Sequence, residues 1–150
     1  MSPNIWGPPT WTLLHCLAAK VKEDKFREIS PQLFLIIKNI CANLPCPDCA
    51  MHATNFFSRV NLSHIKTKTD FKQLIYVFHN MVNKRKKKPM FNINNLNLYN
   101  NVNLVSAFNN FISVYHTRGN MKMLAESFQR NIILKQVKNW FMLNYSNFDP

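Results

Sequence analysis

The amino-acid sequence predicts an all-α protein on the strength of three observations. Only 2 of the 150 residues are glycine, Gly7 and Gly119, so the tight turns that join β-strands must be scarce. Apolar residues recur at spacings of three and four along most of the chain, which is the period of an amphipathic helix. No segment alternates between apolar and polar residues as a half-buried strand would. We therefore expect helices separated by proline, asparagine and serine.

The first helix is expected to begin at residues 8–10 and to run to about Val21, because proline fits the first turn of a helix. Trp11, Leu14 and Ala18 then form an apolar stripe at helical spacing. This helix should therefore bury one face against the rest of the protein.

The second and third helices are also marked by proline. Ser30 is the expected N-cap of the second helix, with Pro31 at its first helical position and Pro45 at its end. The third helix should begin at a Cys-x-x-Cys sequence that contains Pro47, and should end near Phe57.

The second half of the chain predicts further helices. A fourth helix is expected from a cap at Thr69 or Asp70 to about Lys84, before Pro89. Gly119 lies in a break near the C-terminus. Three more helices are expected over residues 94–99, 103–116 and 121–144.

The composition narrows the class of protein. With 47% hydrophobic residues the chain can bury a core and is too apolar to be disordered. The formal net charge is +12, and part of it is the basic run of residues 84–88. Such a charge indicates a polyanionic partner (nucleic acid, an anionic surface or a phosphate-bearing cofactor) or else a solvated basic surface.

The sequence also predicts a cytoplasmic location. Four cysteines are too few for a disulfide scaffold of this length. The N-terminal residues lack the basic and apolar regions of a secretory signal. No apolar run approaches the roughly 20 residues of a transmembrane helix.

Cys46 and Cys49 form the Cys-x-x-Cys sequence, and His52 follows three residues later. This spacing serves as half of a zinc site or as a redox-active dithiol, and it also occurs without a joint function. A zinc site would need a fourth ligand such as His64 or His79. At a helix start the thiolate form of Cys46 would be stabilised by free N–H groups and by the helix dipole.

A second group of polar residues lies in the fourth helix. His79, Asn80 and Asn83 share one face of it, and the basic residues 84–88 follow directly. The group suits a ligand with an aromatic ring, hydrogen-bonding edges and a pyrophosphate. The alternative is a frayed helix end whose charges are solvated.

Three sequence blocks together resemble the Erv/ALR family of FAD-linked sulfhydryl oxidases, and in particular its minimal, often viral members. The blocks are WGPPTWTLLHCLA (6–18), LPCPDCA (44–50) and FHNMVNKRKKKP (78–89). The matching residues are Trp11, Leu14, His15, Ala18, Cys46, Cys49, His79, Asn80, Val82, Asn83, Lys88 and Pro89.

The resemblance implies a four-helix bundle plus a short fifth helix over residues 1–100, with FAD bound at the mouth of the bundle. Residues 101–150 would be a helical C-terminal extension of unknown role. The first two helices would form a homodimer interface. Cys16 and Cys41 lie on these two helices, either as buried thiols or as a disulfide.

The resemblance also implies which residues act. Cys46 would meet the substrate, Cys49 would lie against the flavin ring, and no metal would be needed. The residues implied for FAD binding are Gly7, Thr10, Trp11, His15, His79, Asn80, Val82, Asn83, Lys86 and Lys88. The family often has Leu-Gly where this chain has Lys86 and Lys87, which leaves the local turn uncertain.

The implied activity is the oxidation of protein dithiols to disulfides, with thioredoxin-like proteins among the candidate substrates. Electrons would pass through Cys46, Cys49 and FAD to O2, giving hydrogen peroxide, and nucleic acid would have no part. The alternative that the charge and the cysteine spacing leave open is a zinc-stabilised basic module that binds nucleic acid.

Overall fold

The structure, a computed structural model, describes residues 3–115 and 121–150, without the side chains of residues 121–124. The α-helices in these ranges are α1 (Pro3–Lys20), α2 (Glu23–Ala42), α3 (Pro47–Ser58), α4 (Lys68–Arg85), α5 (Leu104–Tyr115) and α6 (Met121–Asn144). Short 3₁₀ helices cover Leu62–His64, Ile93–Asn101 and Tyr145–Asn147. The part of the chain that is described holds no β-strand beyond one isolated bridge, between Val21 and Phe148. The all-α prediction is confirmed.

Helix α1 lies at the centre of the packing. It contacts α4, α5 and the 3₁₀ helix Ile93–Asn101, and every residue from Leu13 to Lys20 is buried. A helix that is buried around its whole circumference must be covered by several neighbours. Helix α2 packs against α3 and α6. The buried side chains of all six helices form one continuous hydrophobic core.

Helix α1 begins at Pro3, several residues before the predicted start at residues 8–10, so that prediction was wrong. Pro8 and Pro9 therefore lie inside the helix. Pro9 lacks the N–H that would bond to the carbonyl of Ile5, but Ile5 is 55% exposed. Water can reach that carbonyl, which lowers the cost of the missing hydrogen bond.

Helix α2 begins at Glu23 and runs through Pro31, so the predicted N-cap at Ser30 was wrong as well. Glu23 and Asp24 lie in its first turn, where negative charge is favourable to the helix dipole. Pro31 and Arg27, whose carbonyl loses a helical partner, are both exposed. Solvation again offsets the loss.

The starts of α3 and α4 depend on their caps. Cys46 is the N-cap of α3 and Pro47 its first residue, as predicted. The N-cap of α4 is Thr67 rather than Thr69 or Asp70, and Asp70 completes a capping box with it. Both helices therefore start with their free N–H groups partly satisfied by side chains.

Hydrogen bonds tie the C-terminal helices to the first half of the chain. The Tyr115 hydroxyl donates to the carbonyl oxygen of Ile40 over 2.8 Å, and Trp140 Nε1 donates to Gln32 Oε1 over 2.8 Å. The backbone N–H of Lys22 donates to the carbonyl of Asn147. Helices α5 and α6 occupy the ranges predicted for them, whereas the break around Gly119 lies outside the described residues. The division at residue 100 stays a prediction.

None of the described helices has the length and apolarity that crossing a membrane requires.

Candidate functional site

The Cys-x-x-Cys sequence forms a disulfide between Cys46 and Cys49, with their Cα atoms 5.2 Å apart. The backbone N–H of Cys49 donates to the sulfur of Cys46 over 3.2 Å, because Cys46 is the N-cap of α3. Cys46 is half-buried, whereas Cys49 is 8% exposed. Solvent therefore reaches the first sulfur more readily than the second.

Cys49 borders a cavity of about 390 Å³ between α1, α4 and the loop after α4. This volume lies within the range of small-molecule sites, roughly 300–1,000 Å³. Most of the residues that the resemblance implies for FAD binding line it: Gly7, Thr10, Trp11, His79, Val82, Asn83, Lys86 and Lys88. The fold thus brings the first and third sequence blocks to the buried cysteine of the second.

Two unsatisfied donors point to a polar ligand in this cavity. Trp6 Nε1 and Arg85 Nη2 are buried and have no hydrogen-bond partner among the described residues, and both side chains line the cavity. Such groups are costly unless something accepts from them. Together with the cationic side chains of Lys86 and Lys88, they suit the carbonyl and phosphate oxygens of a flavin dinucleotide.

Gly7 gives an independent indication of space for a ligand. It is buried and lines the cavity, yet a Cβ atom placed on it would meet no atom within 4 Å. A side chain at this position would therefore project into open space.

A pair of histidines lies at one wall of the cavity. His15 Nε2 and His79 Nδ1 are 2.9 Å apart, and the His79 ring stacks on Trp11 with 3.9 Å between ring centroids. Burial, with a smaller contribution from His79, lowers the pKa of His15 to about 3. Burial and the nearby Lys88 lower the pKa of His79 to about 4. Both rings are therefore neutral near pH 7, so one donates to the other.

His15 and Asn80 do not line the cavity. His15 lies behind His79, and its ring stacks on Tyr99 at 4.6 Å. The Asn80 side chain accepts from the backbone N–H of Phe91 and donates to the carbonyl of Phe91. These two hydrogen bonds hold Phe91 in place, with its ring stacked on the His79 ring at 4.9 Å between centroids. Both residues thus support the wall from outside.

The turn after α4 forms even though the chain has Lys86 and Lys87 where the family often has Leu-Gly. Lys87 has φ 56°, a left-handed conformation that favours glycine, and it follows the C-cap Lys86. The backbone N–H of Lys88 donates to the carbonyl of Asn83, and that of Lys87 to the carbonyl of Lys84. These two bonds form a Schellman motif, so the chain keeps the turn without the glycine.

Charged side chains connect the disulfide segment to α4. Arg85 Nη1 donates to Asp48 Oδ2 over 2.8 Å, and His52 Nε2 lies 3.5 Å from Asp48 Oδ1. Asp48 is one of the two residues between the cysteines. The Arg85–Asp48 ion pair therefore links the start of α3 to the end of α4. His52 itself is exposed.

The sequence reasoning missed several residues of the site. Trp6, Arg85 and Tyr99 line the cavity, and Phe91 packs behind it. Trp6 stands five residues before Trp11 and outside its stripe, so only the unexpected early start of α1 places it here. In the sequence Arg85 is simply one residue of the basic run. Its position directly after the predicted end of the fourth helix is the one feature that could have indicated a place in the site.

The other cysteines are free thiols buried in α1 and α2. Burial raises the pKa of Cys16 to about 11 and raises that of Cys41 further still. Both are inert as nucleophiles near neutral pH. In the described part of the chain, no group of three or more histidine, cysteine or acidic residues could hold a metal ion. The zinc alternative is not supported.

The chain is similar in sequence to several known proteins. The FAD-linked sulfhydryl oxidase of African swine fever virus (isolate Tick/Malawi/Lil 20-1/1983) is 31% identical over 85 residues, which are 57% of this chain and 71% of the viral protein. The FAD-linked sulfhydryl oxidase ERV1 of Arabidopsis thaliana is 31% identical over 85 residues, 57% of this chain and 44% of the plant protein. A protein of Invertebrate iridescent virus 6 that carries the oxidase name provisionally is 29% identical over 96 residues, 60% of this chain and 86% of its own.

No solved structure matches the chain significantly. A model of the Erv1 / Alr family matches residues 8–103, which include the cavity residues from Pro8 to Tyr99 and both cysteines of the disulfide. The chain belongs to the Erv1 / Alr family.

Proposed function

We propose that this protein is an FAD-dependent thiol oxidase that introduces disulfide bonds into protein substrates. One observation carries the proposal: the buried cysteine of the Cys46–Cys49 disulfide lies on the wall of a cavity. The same cavity is lined by residues from two other sequence blocks, and all three blocks lie mainly within the region that matches an oxidase family. The names of the viral and plant relatives support the same activity.

The exchange chemistry follows from the different exposure of the two cysteines. A substrate thiolate attacks the half-buried Cys46 sulfur, the Cys46–Cys49 bond breaks, and Cys49 leaves as a thiolate. A second substrate thiolate then attacks the mixed disulfide, which releases oxidised substrate and leaves both Cys46 and Cys49 reduced. The N–H of Cys49 and the start of α3 stabilise negative charge on Cys46.

FAD bound in the cavity would supply the acceptor for the two electrons of the Cys46/Cys49 dithiol and would pass them to O2. Lys86, Lys88 and Arg85 would hold its negatively charged groups, and Trp6 Nε1 would donate to one of its oxygens. The lowered pKa of His79, which stacks on Trp11, keeps this ring uncharged near neutral pH.

A visible absorption spectrum of the purified protein tests this proposal. We expect flavin bands, and FAD as the compound released on denaturation. The His79→Ala and Asn83→Ala variants should retain less FAD, because each removes a side chain that lines the cavity, whereas the exposed His64→Ala change should retain as much as the wild type. A colourless protein that takes up no FAD would contradict the proposal.

The homodimer that the resemblance implies stays a prediction. Helix α5 packs on α1 and α6 on α2, so an interface made by α1 and α2 would have to use surface that these helices leave open, such as Leu35, which is 56% exposed. Sedimentation velocity over a range of concentrations would reveal a dimer, and a monomer throughout would contradict this prediction. Thioredoxin-like substrates, O2 as acceptor and a cytoplasmic location are likewise proposals, supported by the family and by its viral members.

A further inference from the structure

A second cavity, of about 580 Å³, borders α3 and has Pro47, the residue after Cys46, in its lining. We call it the α3–α6 groove. Its walls come from the end of α2, from α3 and from α6, and its lining residues include Leu44, Pro47, Ala50, Thr54 and Gln129. Leu44 lines both cavities and so separates the groove from the cavity that Cys49 borders.

Helical geometry also places the groove and Cys49 on opposite faces of α3. At roughly 100° per residue, Pro47, Ala50 and Thr54 lie on one face of α3 and Cys49 on the opposite face. Cys46 directly precedes Pro47, which lines the groove, and Cys46 remains half-buried. The groove therefore reaches to within one residue of the cysteine that a substrate must attack.

The lining of the groove has the chemistry of a peptide site. Half of the residues that line it are alanine, leucine, proline or methionine, and the side chains of Asn43, Thr54, Asn55 and Gln129 can hydrogen-bond to a backbone. One acidic and one basic residue, Glu126 and Arg130, line the same end, so the groove has no strong net charge. An extended, mainly apolar segment fits these walls better than an anionic ligand does.

One wall of the groove lies outside the part of the chain that matches the family. Helix α6 begins at Met121, well beyond residue 103, where the match to the Erv1 / Alr family ends. The Trp140–Gln32 hydrogen bond helps to fix α6 against α2. The groove thus combines the reactive segment of the family with an element from outside the matched region.

We propose that the α3–α6 groove binds an extended apolar segment of a protein substrate next to the cysteine that attacks Cys46, and this rests on the proposed thiol oxidase function. The covalent step is unchanged: the substrate sulfur bonds to Cys46, the Cys46–Cys49 bond breaks, and Cys49 takes the electron pair. A small dithiol reaches Cys46 without the groove. Helix α6 then decides which protein thiols are oxidised efficiently.

The test compares two dithiol substrates in oxygen-uptake assays of the full-length, FAD-loaded protein: dithiothreitol, and ribonuclease A that has been reduced and unfolded. The readout is the ratio of kcat/KM for ribonuclease A to kcat/KM for dithiothreitol. Gln129→Trp places a bulky side chain in the groove. Gln136→Trp is the matched control, because it lies two helical turns further along the same face of α6, is exposed and does not line the groove.

We expect Gln129→Trp to lower the ratio by about 10-fold or more, mainly through a higher KM for ribonuclease A, since one well-filled apolar contact is worth roughly this factor. Gln136→Trp should leave the ratio at the wild-type value. Thr54→Trp, on the α3 wall, fills the same groove and should lower the ratio too, which covers the case in which Gln129→Trp fails to fold.

An unchanged ratio in folded Gln129→Trp and Thr54→Trp would overturn the proposal, and so would an equal loss in Gln136→Trp. A changed sedimentation coefficient with an unchanged ratio would assign the groove to a contact between copies of this chain instead. A wild-type protein that consumes no oxygen with dithiothreitol would refute the proposed oxidase function itself, and the groove proposal with it.

Discussion

At the scale of single residues, the site depends on groups whose chemistry is changed by where the fold places them. Cys46 and Cys49 differ only by three positions in the sequence, yet one is half-buried and the other lies on the wall of the cavity. The sequence alone could name both cysteines and His79. It could not show that Asn80 bonds to the backbone of Phe91, because that contact joins a helix to an irregular, asparagine-rich segment.

Lys87 shows a residue-scale cost that a substitution would remove. An L-residue in the left-handed region is less stable than glycine there, by roughly 1 kcal/mol. We therefore expect Lys87→Gly to raise the free energy of unfolding by about 1 kcal/mol, as measured by urea denaturation. Lys84→Gly, at an exposed position inside α4, should lower it by a similar amount, about 1 kcal/mol. A lower stability for Lys87→Gly would contradict the turn described here.

The neutral histidine pair predicts a loss of stability in acid. Between about pH 6.5 and pH 4 the unfolded chain takes up protons on His15 and His79 that the folded chain does not, because burial lowers both pKa values. The free energy of unfolding should therefore have its full value above about pH 6.5. It should fall as the pH drops, by at most about 1.4 kcal/mol per pH unit for each buried histidine.

Urea midpoints at pH 7.5, 5.5 and 4.5 check this pH dependence. His15→Gln should make the fall with pH shallower, because glutamine does not titrate. The exposed His64→Gln change should keep the wild-type slope. Equal slopes for all three proteins would show that His15 is not buried in its neutral form.

At the scale of elements, the start of a helix could be predicted where a proline lies in its first turn. It could not be predicted where the helix continues through an internal proline. Helix α3 begins at Pro47 as expected, since a proline in the first turn gives up no helical hydrogen bond. Helix α2 also contains a proline, Pro31, but this proline lies eight positions after the start of the helix. The local pattern is alike in both cases, and only the packing of Phe26 and Ile29 in the core extends α2 to Glu23.

Pro31→Ala tests the course of α2. Inside a helix the substitution restores an N–H to the carbonyl of Arg27 and should raise the free energy of unfolding, by up to about 3 kcal/mol. Pro47→Ala is the matched control at a first helical position, where the free energy should change little. Thermal unfolding followed by circular dichroism measures both. A neutral Pro31→Ala would instead indicate that the helix starts at Ser30.

At the scale of the whole molecule, the resemblance covers the first two thirds of the chain, while the core includes the rest. Phe111 and Tyr115 of α5 and Phe141 of α6 are buried in the same cluster as α1 and α2. The fold class, and several of the residues that line the cavity beside Cys49, could be predicted from the sequence. The packing of the C-terminal helices could not, because long-range contacts leave no signal in a single sequence.

Truncation measures how far the first part depends on the C-terminal helices. A chain that ends at residue 103 loses the helix that packs on α1 and the Tyr115–Ile40 hydrogen bond, so its apolar surface becomes exposed. We expect it to be aggregation-prone or to unfold without a cooperative transition in circular dichroism. A truncated chain that unfolds cooperatively with the wild-type midpoint would show that residues 1–103 form an independent domain.

Oxygen uptake by the Cys49→Ser variant tests the central claim most directly, namely that electrons leave the substrate through the Cys46–Cys49 disulfide on the wall of the cavity that we propose binds FAD. With dithiothreitol as substrate, the wild type and Cys16→Ala, which changes a buried thiol away from the cavity, should consume oxygen. Cys49→Ser should keep its flavin absorbance and lose this uptake. Oxygen uptake by Cys49→Ser at the wild-type rate would contradict the account.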